Sequence, residues 1–127
     1  MKSKVGLWID HRKAVLVFLI DGGEEIRNIA SNMEKHVRFS GDSSEEGSAD
    51  DMRDRQFAGH LDRFYNDVIA SIHDAESILI LGPGEAKGEL AKRLESRGLK
   101  ERMVGIETVD KMTDPQIAAR VRQHFLA

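Results

Sequence analysis

The stretch Ser77-Ile78-Leu79-Ile80-Leu81-Gly82-Pro83-Gly84-Glu85-Ala86-Lys87-Gly88-Glu89-Leu90 decides how this chain folds. Ile78 to Leu81 is an unbroken apolar run, the pattern of a strand covered on both faces. Gly82-Pro83-Gly84 stops it abruptly. From Glu85 to Ser96 the residues are helix formers, with Ala86, Leu90 and Leu94 spaced by four. Strand, tight turn and helix make half of an α/β unit.

The flanks extend this unit in both directions. Between Ala58 and Ala75, the residues Leu61, Phe64, Tyr65, Val68, Ile69 and Ile72 form one apolar stripe at helical spacing. Asp62, Arg63, Asn66 and Asp67 occupy the other side. Downstream, the helix is expected to stop near Gly98, a residue suited to the left-handed cap. Arg102 to Val109 reads as a fifth strand. Thr113-Asp114-Pro115-Gln116 has the form of a capping box, with Met112 and Ile117 placed as a hydrophobic staple. The final helix buries Ile117, Val121 and Phe125.

The N-terminal part is a different kind of chain. Val5-Gly6-Leu7-Trp8-Ile9, a polar turn Asp10-His11-Arg12 and the apolar run Ala14 to Ile20 predict a hairpin. Asp21-Gly22-Gly23 makes a second turn. Glu24 to Ala30 is a third strand, charged enough to belong at an edge. Residues 31–56 then lose all periodicity. Ser40 to Asp51 is polar, acidic and glycine-containing, which predicts a long, exposed, mobile loop.

The element order is therefore β-β-β-loop-α-β-α-β-α over one domain, residues 1–127. Right-handed crossovers make the last two strands parallel to the first. The simplest closure is a mixed five-stranded α/β sheet of order 3-2-1-4-5 with helices on both faces, a ribonuclease H-like arrangement. A chain of 127 residues with 40% hydrophobic and 32% charged residues is an ordinary composition for such a domain. The formal net charge of −3 argues against a general nucleic-acid coat protein. With no cysteine, disulfides, thiolate metal sites and a cysteine nucleophile are excluded. No run approaches the roughly 20 apolar residues of a membrane span. A cytoplasmic location is expected.

The segment Ile78 to Leu90 resembles the strand–turn–helix of the middle domain of eukaryotic and archaeal peptide-chain release factors and their relative pelota. Val5 to Asp10 with Ala14 to Ile20 is similar to that family's opening hairpin. Arg55-Gln56-Phe57 sits where the family's basic stretch leads into the long helix. The resemblance implies a ribonuclease H-like fold and a link to translation or ribosome rescue. Release factors carry a Gly-Gly-Gln tip after the third strand, and this chain has none; its glutamine there, Gln56, follows Arg55. Pelota-type middle domains also lack the tip. The family's flanking domains have no counterpart in this sequence, and a stand-alone middle domain is expected, as in small bacterial proteins of this type. The resemblance therefore implies a partner such as the ribosome, tRNA or a translation protein, without peptidyl-tRNA hydrolysis.

Candidate site residues fall into three groups. Gly82, Gly84 and Lys87 open a helix whose N–H groups and dipole suit an anion; the alternative is a turn whose glycines only allow close packing. The Gly-Lys-Ser/Thr ending of a P-loop is absent. Arg12, Lys13, Arg53 and Arg55 are candidates for phosphate contacts, or simply solvated turn charges. Asp10 with Asp62 and Asp67 is the only carboxylate set that suggests a metal nuclease, which holds two divalent ions about 4 Å apart; Asp62 and Asp67 are badly spaced for one helix face. His11, His36, His60, His73 and His124 show no metal-ligand spacing. No cofactor is expected. Trp8 and Phe39 read as core or loop anchors. The leading reading is a non-enzymatic, translation-associated binding module. The alternatives are a small metal-dependent nuclease or hydrolase using the aspartates, and a self-associating scaffold using an edge strand or helix face as a homodimer contact.

Overall fold

A computed structural model of the protein describes residues 4–31 and 49–126. The apolar runs become strands β1 (Lys4–Ile9), β2 (Lys13–Ile20), β3 (Gly23–Ala30), β4 (Ser77–Gly82) and β5 (Met103–Thr108). The helices are α1 (Ala49–Ile72), α2 (Ala86–Ser96) and α3 (Asp114–Leu126), with a short 3₁₀ turn at Lys100–Arg102. The five strands form one sheet in the order β3-β2-β1-β4-β5. β1 pairs antiparallel with β2 and β2 with β3, while β1–β4 and β4–β5 are parallel. This is the α/β topology and the strand order expected from the sequence.

Both faces of the central strands are covered, so alternate residues of one strand serve two separate cores. Val5, Leu7, Ile9, Leu16, Ile78 and Ile80 pack under α1 and α2, against Leu61, Phe64, Tyr65, Val68, Leu90 and Leu94. Trp8, Val15, Val17, Leu79 and Leu81 pack under α3, against Ile117, Ala118 and Val121. The apolar runs Ala14 to Phe18 of β2 and Ile78 to Leu81 of β4 are buried, because both faces of the sheet are covered there. β3 is exposed along most of its length and carries the charges of an edge.

Local chemistry sets the helix ends. Gly98 has φ +79°. The Leu99 N–H reaches the Leu94 carbonyl at 2.9 Å and the Gly98 N–H reaches Glu95 at 3.0 Å, the paired bonds of a Schellman cap. At α3, the Thr113 N–H donates to Gln116 Oε1 (2.9 Å) and the Gln116 N–H to Thr113 Oγ1 (3.3 Å), the reciprocal capping box. Met112 packs against the same core as Ile117. Phe125 is only partly buried there.

One boundary differs from expectation. Helix α1 begins at Ala49, well before Ala58. No glycine or proline occurs between Ala49 and Ala58, so nothing local stops a helix there, even though the composition is that of a loop. Of the loop expected over 31–56, residues 49–56 are helical. Ser31 is buried and bonded to the hairpin turn. Residues 32–48, with His36, Phe39 and part of the acidic run, lie outside the described residues. No helix among the described residues is long and apolar enough to cross a membrane.

Two glycines are required by close packing. A Cβ on Gly82 would lie 2.4 Å from the Ile9 carbonyl oxygen, and one on Gly6 would lie 2.2 Å from a Val121 methyl. Gly88, inside α2, faces open space. Opposite outcomes are therefore expected in denaturant unfolding. Gly82→Ala should destabilise by about 1–3 kcal/mol through overpacking against backbone. Gly88→Ala should stabilise by about 0.4–1 kcal/mol, because alanine has less freedom to lose on folding.

Candidate functional site

Parallel pairing brings the carboxyl ends of β1, β4 and β5 to one edge of the sheet. Three connections meet there. The first is the β1–β2 turn, Asp10 to Lys13. Asp10 closes it: its Oδ1 accepts the N–H groups of Arg12 (2.8 Å) and Lys13 (2.9 Å), and its own N–H donates to the Lys13 carbonyl (3.0 Å). This is an Asx-type turn, and it holds Arg12 and Lys13 at the sheet edge. The Lys13 ammonium lies 5.8 Å above the ring of Trp8, whose indole N–H donates to the Asp110 carbonyl. The second connection is Gly82 to Glu85, between β4 and α2. The third runs from Val109, whose N–H donates to the Gly82 carbonyl at 3.0 Å.

The anion-site candidates divide. Gly82 serves the approach of β4 to Ile9, which is the packing alternative considered for it. Gly84 and Lys87 are at the helix entrance, where Lys87 Nζ donates back to the Gly84 carbonyl at 2.5 Å. Glu85 stands at the N-cap of α2 without a side-chain capping bond. An open groove of about 380 Å³ follows, lined by Gly84, Glu85, Lys87, Gly88, Glu89, Lys92 and Ile106. Ile106 and Val104, on edge strand β5, are each about half exposed.

Arg12 and Lys13 thus share one edge with Gly84 and Lys87. Arg53 and Arg55 fall in the first turns of α1, and their side chains lie outside the described residues. The aspartates are placed apart in role. Asp10 is engaged with turn backbone, Asp62 forms an ion pair with Arg93, and Asp67 is exposed on α1. Among the described residues, no group of three or more His, Cys, Asp or Glu is arranged to hold a metal ion.

The edge is tied together by residues that sequence reasoning did not connect. Tyr65, fully buried on α1, donates its hydroxyl to Glu89 Oε1 of α2 at 2.5 Å. The same oxygen is 3.2 Å from Nε2 of His11 in the β1–β2 turn. The Arg93 guanidinium stacks 4.5 Å from the Tyr65 ring centroid and pairs with Asp62. One turn further on, Arg97 bonds Asn66. These contacts join α1, α2 and the hairpin turn. His11, Tyr65 and Glu89 are far apart in the sequence, so no spacing rule could have linked them. The only signal was a tyrosine in an apolar stripe, because a buried hydroxyl needs a partner.

Burial raises the Tyr65 phenol well above its ordinary range, and the bond to Glu89 raises it further. The phenol therefore remains a donor at any working pH. Burial also pushes Glu89 upward. Hydrogen bonds from Tyr65 and His11, with the positive charge of Arg93, outweigh that push and leave the carboxyl below its ordinary 4.5. Glu89 thus holds its proton less tightly folded than unfolded. Its contribution to stability is complete above about pH 4.5 and disappears as pH falls through the lower folded value. Wild type should therefore be more stable than Glu89→Gln at pH 7. The gap should narrow as pH falls below about 4.5, as read from urea midpoints over a series of pH values.

No protein-family model matches the sequence, and no curated protein does. Solved structures do match. The Pelota protein of Thermoplasma acidophilum superposes with a TM-score of 0.58 at 17% identity, over 96% of this chain and 32% of that one. Pelota of Archaeoglobus fulgidus gives 0.57 at 16% identity, over 97% of this chain and 31% of its own. An archaeal translation termination factor, aRF1, gives 0.47 at 15% identity over 98% of this chain and 40% of its own. The chain spans about a third of the length of the Pelota structures it matches. The fold resembles a domain of Pelota over nearly the whole chain, as the resemblance to the release-factor and pelota middle domain implies.

Proposed function

We propose that this protein is a translation-associated binding module that contacts the ribosome, tRNA or a translation protein and does not hydrolyse peptidyl-tRNA. The observation that carries this reading is the match of 96% of the chain to part of Pelota. The sequence adds a second support, since it lacks the Gly-Gly-Gln tip that release factors use for hydrolysis.

The contact surface in this reading is the carboxyl edge of the sheet. Arg12, Lys13 and Lys87 supply cations from two neighbouring turns, the type of side chain that contacts phosphates. Exposed Lys111 lies on the third connection. Ser31 docks at this same edge, its N–H donating to the Arg12 carbonyl at 2.9 Å. Asp10 has a turn role and Asp62 an ion pair, and no observation brings them together with Asp67, so the nuclease alternative is not adopted.

Co-sedimentation with purified ribosomes at low salt tests the proposal. Wild type should pellet with ribosomes and be released as salt rises, because cationic side chains displace counterions from the phosphates they bind. Arg12→Ala with Lys13→Ala should weaken binding by about tenfold or more at low salt. Failure of the wild-type protein to co-sediment at low salt would overturn the reading.

A further inference from the structure

We infer that Tyr65 is the positioning residue of the basic edge, acting through Glu89 on His11 to hold the β1–β2 turn against helix α2. The inference deepens the proposed function and rests on it for the binding surface. Its structural part stands on separate observations.

The geometry has a single centre. Glu89 Oε1 receives the Tyr65 hydroxyl at 2.5 Å and faces His11 Nε2 at 3.2 Å. Tyr65 is fully buried, between Phe64 and the Arg93 guanidinium. Its ring has little freedom, so its hydroxyl is a fixed donor. Glu89 and His11 are each more than one-third exposed. A pair that open would be weak and mobile on its own. The buried hydroxyl removes that freedom by fixing one carboxylate oxygen from behind. His11, held by that oxygen, sits directly before Arg12 and Lys13.

The backbone of the same turn continues the connection. The Ser31 hydroxyl donates to the His11 carbonyl (2.8 Å), and the Ser31 N–H donates to the Arg12 carbonyl (2.9 Å). The end of β3 is therefore docked on the residues that Glu89 restrains. On the other side, Glu89 is four residues after Glu85 and borders the groove with Lys87. One carboxylate thus fixes the distance between the turn carrying Arg12 and Lys13 and the helix entrance carrying Lys87. A phosphate-bearing partner that uses both sets of cations needs that distance constant. Preorganisation of this kind raises affinity by lowering the ordering cost at binding.

The test compares wild type with Tyr65→Phe, Glu89→Gln and the double variant. Phenylalanine keeps the buried ring and removes only the hydroxyl, and the melting temperature reports that each variant is folded. Two quantities are read: ribosome co-sedimentation at low salt, and amide hydrogen exchange at Ser31. Tyr65→Phe should speed Ser31 exchange and weaken binding about three- to tenfold, the net contribution of one ordinary hydrogen bond. The double variant should be no weaker than the weaker single variant, because both changes break one path. Wild-type Ser31 exchange in Tyr65→Phe, or additive losses in the double variant, would overturn the inference. If wild type does not bind ribosomes, the proposed function fails, and Ser31 exchange alone decides whether Tyr65 positions the turn.

Discussion

The parallel pairing of β1 with β4 is the constraint on which the rest of the structure depends. It joins two halves that are each locally organised. The N-terminal hairpin and β3 are built from short antiparallel turns. The C-terminal half is built from strand–helix steps. The β1–β4 register, with Trp8 beside Leu81, joins their strands into one sheet across more than seventy residues. Gly82 relieves that pairing of strain, because a Cβ there would lie against the Ile9 carbonyl. It also fixes where function can sit. Parallel strands end together, so their outgoing turns are forced to one edge, the usual location of sites in open α/β sheets.

The two cores follow from the same constraint. Once β1 and β4 are central, both of their faces must be covered, and the helices divide between them. The division is unequal. α1 and α2 share one face and must pack against each other as well as against the sheet. α3 has the other face and meets the strands alone, close enough that Gly6 must lack a side chain. The crowded face is where polar contacts between helices accumulate: Asp62 with Arg93, Asn66 with Arg97, Tyr65 with Glu89. These pairs are the consequence of two helices meeting above one sheet.

The fold was legible because its signals are local and redundant. Apolar runs marked β2 and β4 as doubly covered. Gly98, Thr113 and Gln116 marked helix ends, and each forms the cap its residue type favours. The start of α1 was not legible, since the same polar and acidic composition serves a helix or a loop. The site was less legible for a different reason. Asp10, Arg12, Lys13, Gly84 and Lys87 were visible as turn residues, and their gathering at one edge followed from the strand order. The contact of His11, Tyr65 and Glu89 was not visible, because it depends on how α1 and α2 are rotated above the sheet. Periodicity reports which side of a helix is buried, and it does not report which neighbour a single side chain will reach.

The charge of this edge also differs from what the whole chain suggests. A net charge of −3 describes a mildly acidic protein. Several acidic groups have internal partners, whereas Glu85 at the α2 N-cap is exposed and makes no side-chain capping bond. Asp10 points its oxygen at backbone N–H groups of its own turn, Glu89 is turned toward Tyr65 and His11, and Asp62 is matched by Arg93. Each carboxylate contributes to holding elements together, and its field is compensated over a short distance. A local surface potential depends on such pairing, and the sign of the net charge is a poor guide to it. In an acidic chain, the partners of Asp10, Glu89 and Asp62 therefore bear on the local potential more than the net charge does.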